Sequence, residues 1–333
     1  MASGTRRGDL WLLPIAVLAV SSAAILIRLT PADPVAIAFW RLFLATAITA
    51  AAAYLGASGI RVGRWWPLAV AGGVLLAVHF LTWIASVFYT TIAISTTLVN
   101  LHPIIMLAIS RYGLGERITA RTAAGAALSA AGGAVIASAA AGLGGANPLG
   151  ALLAFIGAVA FAGYLAVGRA VRASADTLSY TAVAYGSAAA VSLAVAAALK
   201  APVFGYGPKV YLLFAAIAVV PMLLGHSVFN YLLGRHRAIA VAVSALGEPV
   251  GATLLAIPIF SQVPTPTAAA GMALALAGIG IVAGEEARLG GEGRTRGGRL
   301  AQKAPRPSLG QYIGGRGGEG RLGPGLRPYP QGV

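Results

Sequence analysis

Apolar segments of about 20 residues recur along almost the whole chain, and they limit the fold more than any single motif does. We read ten of them, each long enough to cross about 30 Å of hydrocarbon at about 1.5 Å of helical rise per residue. The predicted spans are residues 10–28, 35–56, 67–87, 90–111, 118–141, 149–168, 177–199, 210–233, 238–260 and 265–284. The runs are continuously apolar and lack the alternation of a membrane β-barrel, so the pattern predicts an all-α membrane protein.

The composition excludes several classes of protein. The 333 residues are 58% hydrophobic and 10% charged, whereas a soluble domain carries about 25% charged residues. The chain contains no cysteine, which excludes disulfides and thiolate metal sites. It has no Walker loop, no His-Glu-x-x-His motif and no carboxylate cluster with metal spacing. We therefore expect no enzyme, no cofactor and no ATPase activity.

The sequence repeats itself at a spacing of 146 residues. Residues 102–138 and 248–284 share 10 identities in 37 positions, five of them alanine. This similarity indicates an internal repeat. Because each half has an odd number of spans, five, the second half starts on the opposite side of the membrane. We therefore predict ten transmembrane helices as two inverted five-helix repeats, residues 10–141 and 149–284.

The distribution of positive charge predicts the topology. The N-terminal segment, 1–9, and the alternate loops carry 11 Lys and Arg, while the opposite loops carry Lys200 and Lys209 with Arg28 at a helix end. This predicts a multi-pass plasma-membrane protein with both termini in the cytoplasm. The Gly-, Arg- and Pro-rich tail, 285–333, is predicted to be disordered and to contact anionic lipid rather than nucleic acid.

Two residues that precede prolines are the first candidates for a site. His102-Pro103 and Glu248-Pro249 occupy equivalent places in the two halves, and ionisable groups inside a membrane are costly enough to suggest function. Either residue could carry a proton, although a hydrogen bond between helices is an equally good reading. Asn100 is a further candidate, which an unbroken helix would point nearly opposite to His102.

The remaining candidates are polar or aromatic residues on other spans. Two i, i+4 pairs, His79 with Trp83 and His226 with Asn230, each cover one helix face and are predicted to line a cavity. Arg41 lies inside the second span, where it could snorkel, pair with a carboxylate or hold an anionic group.

The membrane part, residues 10–284, resembles the EamA-type ten-helix members of the drug/metabolite transporter superfamily. The resemblance rests on three stretches: Asn100-Leu101-His102-Pro103 with Gly247-Glu248-Pro249, Leu114-Gly115-Glu116-Arg117-Ile118-Thr119 before Gly125 and Gly132, and Phe39-Trp40-Arg41-Leu42. It implies an inner-membrane carrier of small metabolites, often an exporter of amino acids. The chain departs from the family pattern at Ser261-Gln262, where Gly-Glu would repeat, and at His102.

These observations predict a secondary transporter that exports small metabolites by alternating access without ATP. A lipid-facing scramblase or a membrane scaffold is the alternative, and it predicts a continuous groove open to lipid. An intramembrane enzyme is a further alternative, for which His226 and Glu248 would have to lie within hydrogen-bond reach. The sequence allows a homodimer without requiring one.

Overall fold

The computed structural model describes residues 9–56, 59–90, 92–141, 147–260 and 265–303, and their regular structure is helical throughout. The helices are α1 (Leu12–Ser21), α2 (Ala23–Leu29), α3 (Pro34–Leu55), α4 (Trp66–Tyr89), α5 (Ile92–Val99), α6 (His102–Ala108), α7 (Ala120–Ala141), α8 (Pro148–Val171), α9 (Thr177–Leu199), α10 (Pro208–Ile217), α11 (Val228–Leu233), α12 (Ala238–Ala245), α13 (Glu248–Phe260) and α14 (Pro266–Lys303). Two π-helical segments, Ile109–Gly113 and Ala218–Ser227, follow α6 and α10.

Eight helical stretches within the described residues are long and apolar enough to cross a membrane. They are Leu12–Leu29, Pro34–Leu55, Trp66–Tyr89, Pro148–Val171, Thr177–Leu199, Pro208–Leu233, Ala238–Ile259 and Pro266–Leu289. The other two predicted spans, 90–111 and 118–141, correspond to α5 with α6 and to α7. The chain is therefore a helical multi-pass membrane protein, and the number ten stays a prediction.

Local sequence signals explain where many helices begin. Asp33, Asn147 and Asp176 each accept a hydrogen bond from a backbone N–H in the first turn of the helix that follows, as N-cap residues do. Thr119 and Thr265, which are 146 residues apart, accept corresponding bonds at the starts of α7 and α14, both at 3.2 Å. The repeat seen in the sequence is thus also a repeat of local structure.

Two predicted spans are each broken at the same place in the repeat. The helix stops before Asn100-Leu101 in the first half and before Leu246-Gly247 in the second, and resumes at His102 and Glu248. The proline after each of these residues has no N–H to donate to the preceding turn and clashes with it. The predicted spans 90–111 and 238–260 therefore each contain two half-helices with a break between them.

The eighth predicted span is also irregular. Its central part, Ala218–Ser227, is π-helical and contains Pro221. A π turn inserts extra residues into the helix and changes which side chains share a face downstream. The i, i+4 relation between His226 and Asn230 therefore does not place both side chains on one surface.

Helices α7 and α14 cross closely through small residues. A methyl group placed on Gly132 would lie 2.6 Å from Gly271 O, and one placed on Gly125 would lie 2.8 Å from Gly278 O. Ser129 Oγ donates to Ala275 O at 3.0 Å across the same crossing. Contact residues with rising numbers in α7 meet residues with falling numbers in α14, so the two helices run antiparallel. Small residues allow helices to approach this closely in lipid.

One helical unit extends to Gly290, and the described residues after it, 291–303, belong to a second unit. The last helix continues to Lys303, beyond the predicted end of the tenth span at 284. A bidentate pair between Glu285 and Arg288, with distances of 2.8 and 2.9 Å, supports its extra turn. The rest of the predicted tail, 304–333, lies outside the described residues.

Candidate functional site

A small cavity lies where the broken helices of the two halves meet. It measures about 20 Å³, which is room for one or two water molecules. Its walls come from both halves: Val20, Ala23, His79, Trp83, Val99, Asn100, His102, Phe161, His226, Phe229, Ala245 and Glu248. Six of the eight predicted site residues are in this set, and their role in binding stays a prediction.

The helix breaks explain how the polar residues converge. Asn100 and His102 both line the cavity, although an unbroken helix would separate them, because the chain turns at 100–101 before α6 begins. Glu248 reaches the cavity from the first position of α13. Ser244, one turn earlier in α12, instead faces a groove on the outer side of the break.

Three histidines surround one phenylalanine in the cavity wall. The ring centroids of His79, His102 and His226 lie 4.6, 4.7 and 5.4 Å from that of Phe161. Trp83 stacks on His79 at 5.8 Å. Phe161 was not among the predicted site residues, because an aromatic residue in an apolar run carries no polar signal. The packing of α8 against α4 brings it to the cavity.

The hydrogen bonding of the polar side chains at this cavity is incomplete among the residues that the structure describes. His79 Nδ1 contacts Gly157 O at 3.0 Å and His102 Nδ1 contacts Val99 O at 3.1 Å. Within the described residues, His226 Nδ1 and Trp83 Nε1 are buried without a hydrogen bond. An unsatisfied buried polar group costs about 1–3 kcal/mol, so a ligand that pairs with these atoms would recover that cost.

Arg41 lies one side chain behind the cavity wall. It is fully buried, with its guanidinium carbon 3.8 Å from the centroid of the Phe80 ring, and Phe80 in turn contacts His226 at 5.2 Å. Two of its nitrogens, Nε and Nη1, have no hydrogen-bond partner in the described part of the chain. Arg41 therefore places a positive charge behind the cavity wall without lining the cavity.

Asn230 points away from the cavity into a cluster of hydroxyl groups. Its Nδ2 atom donates to Tyr164 OH at 2.6 Å and to Tyr185 OH at 3.1 Å. Tyr185 OH also contacts Ser227 Oγ at 3.0 Å. The structure thus gives Asn230 a packing environment between α8, α9 and α11, and its predicted contact with substrate would require movement.

An apolar groove of about 420 Å³ lies on the other side of α1 from the cavity. Its walls are Leu10, Leu13, Pro14, Val17, Leu18, Ser244, Gly247, Val250, Gly251, Leu254, Leu276, Ile279 and Ala283. Helix α1 separates the two spaces, with Val17 facing the groove and Val20 facing the cavity.

Among the described residues, no group of three His, Cys, Asp or Glu is placed to hold a metal ion. His226 and Glu248 both line the cavity, but no hydrogen bond joins them in this part of the chain. The arrangement is suited to binding a small polar molecule between imidazole rings, an indole N–H and a carboxyl group.

Comparison with known proteins agrees with this architecture. A comparison with curated proteins gives no match. A solved crystal structure superposes with a TM-score of 0.72 over 85% of this chain and 99% of the other, at 23% sequence identity, which shows a shared fold. The family model of the EamA-like transporters matches twice, over residues 6–138 and 148–284. The two matches divide the chain as the internal repeat does, and the chain belongs to the EamA-like transporter family.

Proposed function

We propose that this protein is a secondary carrier that moves a small zwitterionic metabolite, such as an amino acid, through the cavity at Glu248. The observation that carries the proposal is that His226 Nδ1 and Trp83 Nε1 have no hydrogen-bond partner among the described residues, while both side chains line one cavity with Glu248. Family membership supports transport of a small solute, and the site geometry supports the class of substrate.

The charges near the cavity favour a zwitterion. Glu248 offers a carboxyl group to an ammonium, while Arg41 supplies a positive potential from behind Phe80. The Trp83 indole N–H offers a donor to a carboxylate. A ligand with one charge of each sign would match both groups, whereas a singly charged ligand would leave one of them uncompensated in a medium of low dielectric.

Alternating access between two inverted repeats is the mechanism that we propose. The helix breaks at 100–101 and 246–247, and the antiparallel contact of α7 with α14, support a two-fold relation between the halves. A cavity of about 20 Å³ is too small for an amino acid, so substrate entry requires the halves to move apart. The positive loops support cytoplasmic termini, and we propose export as the direction.

Uptake by proteoliposomes tests the proposal. Purified protein would be reconstituted without ATP, and exchange of radiolabelled amino acids would be measured against a preloaded unlabelled pool. We expect accelerated exchange of at least one zwitterionic amino acid. Exchange no faster than in protein-free liposomes across all common amino acids, with correctly folded protein, would contradict it.

Lipid translocation is a second candidate because the apolar groove lies beside the polar cavity. A lipid headgroup could pass through the cavity while its acyl chain followed the groove between α1 and α14. A fluorescent phospholipid whose outer-leaflet pool is reduced by dithionite distinguishes the two functions. If dithionite removes more fluorescence than the outer leaflet contains, and no amino acid exchange is measured, lipid translocation is favoured.

A further inference from the structure

An ion-pair cluster joins the two halves of the chain at one end of the bundle. Glu116 Oε1 accepts hydrogen bonds from Arg169 Nε at 3.1 Å and from the Ala238 backbone N–H at 2.9 Å. Glu116 belongs to the first half, whereas Arg169 and Ala238 belong to the second. The Glu116 side chain is only 7% exposed, so these charge-assisted contacts are weakly screened by salt. We call this end the Glu116 face.

Arg237 adds a second connection at the Glu116 face. Its Nη1 atom donates to Arg117 O at 2.6 Å, and its backbone N–H donates to Glu286 at 3.1 Å. The neighbouring Arg235 pairs at 3.1 Å with Asp9, which lies just before α1. The short segment between α11 and α12 is therefore tied to both halves of the chain.

Helix α12 connects this cluster to the cavity. Its own N-cap residue, Arg237, makes no side-chain capping bond, so the Glu116 carboxylate takes that role by accepting the Ala238 N–H. All eight residues of α12 are buried, and the helix ends at Ala245, which lines the cavity close to Glu248. Displacement of Glu116 therefore removes a hydrogen bond from the start of α12, whose last residue, Ala245, forms part of the cavity wall.

The equivalent position at the opposite end lacks this pair. Arg28 Nη1 donates to Val87 O at 2.6 Å, just as Arg169 Nη1 donates to Leu233 O at 2.8 Å, and the two carbonyls are 146 residues apart. Arg169 is also paired with Glu116, whereas Arg28 has no ion pair within the described part of the chain. One of two equivalent ends thus carries a carboxylate that bridges the halves.

We infer that the Glu116 cluster is a gate, and that the resting protein is closed at the Glu116 face. Opening this face must break charge-assisted hydrogen bonds between the halves, whereas the bonds between the halves at the other end, from Trp40 Nε1 to Val203 O at 2.8 Å and from the Asp33 N–H to Tyr206 OH at 3.2 Å, are neutral. Charge-assisted bonds are about twice as strong as neutral ones. The inference rests on the proposed function, because a gate has meaning only if the cavity opens to each side in turn.

Labelling of a cysteine inside the cavity tests the gate. The chain has no cysteine of its own, so Ala245→Cys provides a single reporter. Its rate of reaction with a membrane-impermeant maleimide would be measured from the Glu116 face in vesicles of known orientation. We expect Glu116→Gln and Arg169→Gln each to raise that rate at least tenfold. The matched control Arg28→Gln should raise it no more than twofold.

The outcomes separate the gate from the transport function. Unchanged labelling in both gate variants, with monodisperse protein, would overturn the inference, and so would an equal increase in Arg28→Gln. If Arg169→Gln does not fold, Glu116→Gln carries the test, because glutamine keeps an oxygen for the Ala238 N–H. Labelling needs no substrate, so the two ideas can fail separately. If the gate variants label faster but the protein transports no solute, only the proposed function is rejected. If the protein transports a solute but the gate variants label at the wild-type rate, only the gate is rejected.

Discussion

Replacing Gly278 by alanine perturbs the crossing of α7 and α14 directly. The added methyl group would lie 2.3 Å from Ser129 Oγ and 2.4 Å from Gly125 O. Since relaxed contacts of this kind lie near 3.5 Å, the helices must separate by about 1 Å. Overpacking costs about 1–3 kcal/mol, and the better helix propensity of alanine returns up to about 1 kcal/mol. We expect a net loss of about 1–2 kcal/mol.

Gly280 provides the matched control in the same helix. It is exposed, and a methyl group placed on it would have no neighbour within 4 Å, so Gly280→Ala should leave stability unchanged or raise it by up to about 1 kcal/mol. Thermal unfolding in detergent measures both variants, and each kcal/mol corresponds to about 2–4 °C in Tm. Adding Ser129→Gly should restore part of the loss in Gly278→Ala. Equal Tm shifts for Gly278→Ala and Gly280→Ala would refute the close crossing.

Four further predictions follow from individual contacts. Trp83→Phe keeps the ring stack on His79 but removes an unpartnered N–H, so substrate affinity should fall about tenfold with Tm nearly unchanged; an unaltered Kd would contradict this. Asn230→Leu should cost about 2–3 kcal/mol of stability through lost bonds to two tyrosine hydroxyls, and reduced affinity in folded protein would instead place Asn230 at the substrate. Lys200, at φ 54° and ψ 31°, ends α9 in the left-handed region, so Lys200→Gly should raise Tm by the equivalent of about 0.5–1 kcal/mol; a lower Tm would count against it. Partial burial alone would raise the pKa of Asp176, but hydrogen bonds at the start of α9 hold that pKa below its ordinary value. The ionised Asp176 carboxylate then stabilises the fold above about pH 4, and this stabilisation is lost as the pH falls through the lowered pKa. Asp176→Asn lacks that carboxylate, so on acidification its free energy of unfolding should fall less than that of the wild type.

The repeat was the most informative part of the sequence. The 146-residue spacing predicted that His102 and Glu248 occupy equivalent places, and both residues begin a half-helix beside the same cavity. The breaks themselves were not predicted, because a proline one residue later is also compatible with a kinked continuous helix. That local difference decides whether Asn100 shares a surface with His102.

The parts of the site that depend on long-range packing could not be predicted. Phe161 sits among three histidines because α8 packs against α4, and nothing in its own segment indicates that position. Arg41 was expected to snorkel, pair or bind, yet it lies over the Phe80 ring behind the cavity. Asn230 was grouped with His226 by helical spacing, and the π-helical segment redirected it.

The proposed function depends most on the carboxyl group of Glu248, which we expect to bind the transported molecule. The most direct measurement is counterflow of a transported amino acid by proteoliposomes that contain wild-type protein, Glu248→Gln or Glu285→Gln. Glu285 pairs with Arg288 and does not line the cavity, so it controls for loss of a carboxylate elsewhere. We predict that Glu248→Gln abolishes counterflow while Glu285→Gln retains it, and counterflow at the wild-type rate in folded Glu248→Gln would contradict the account.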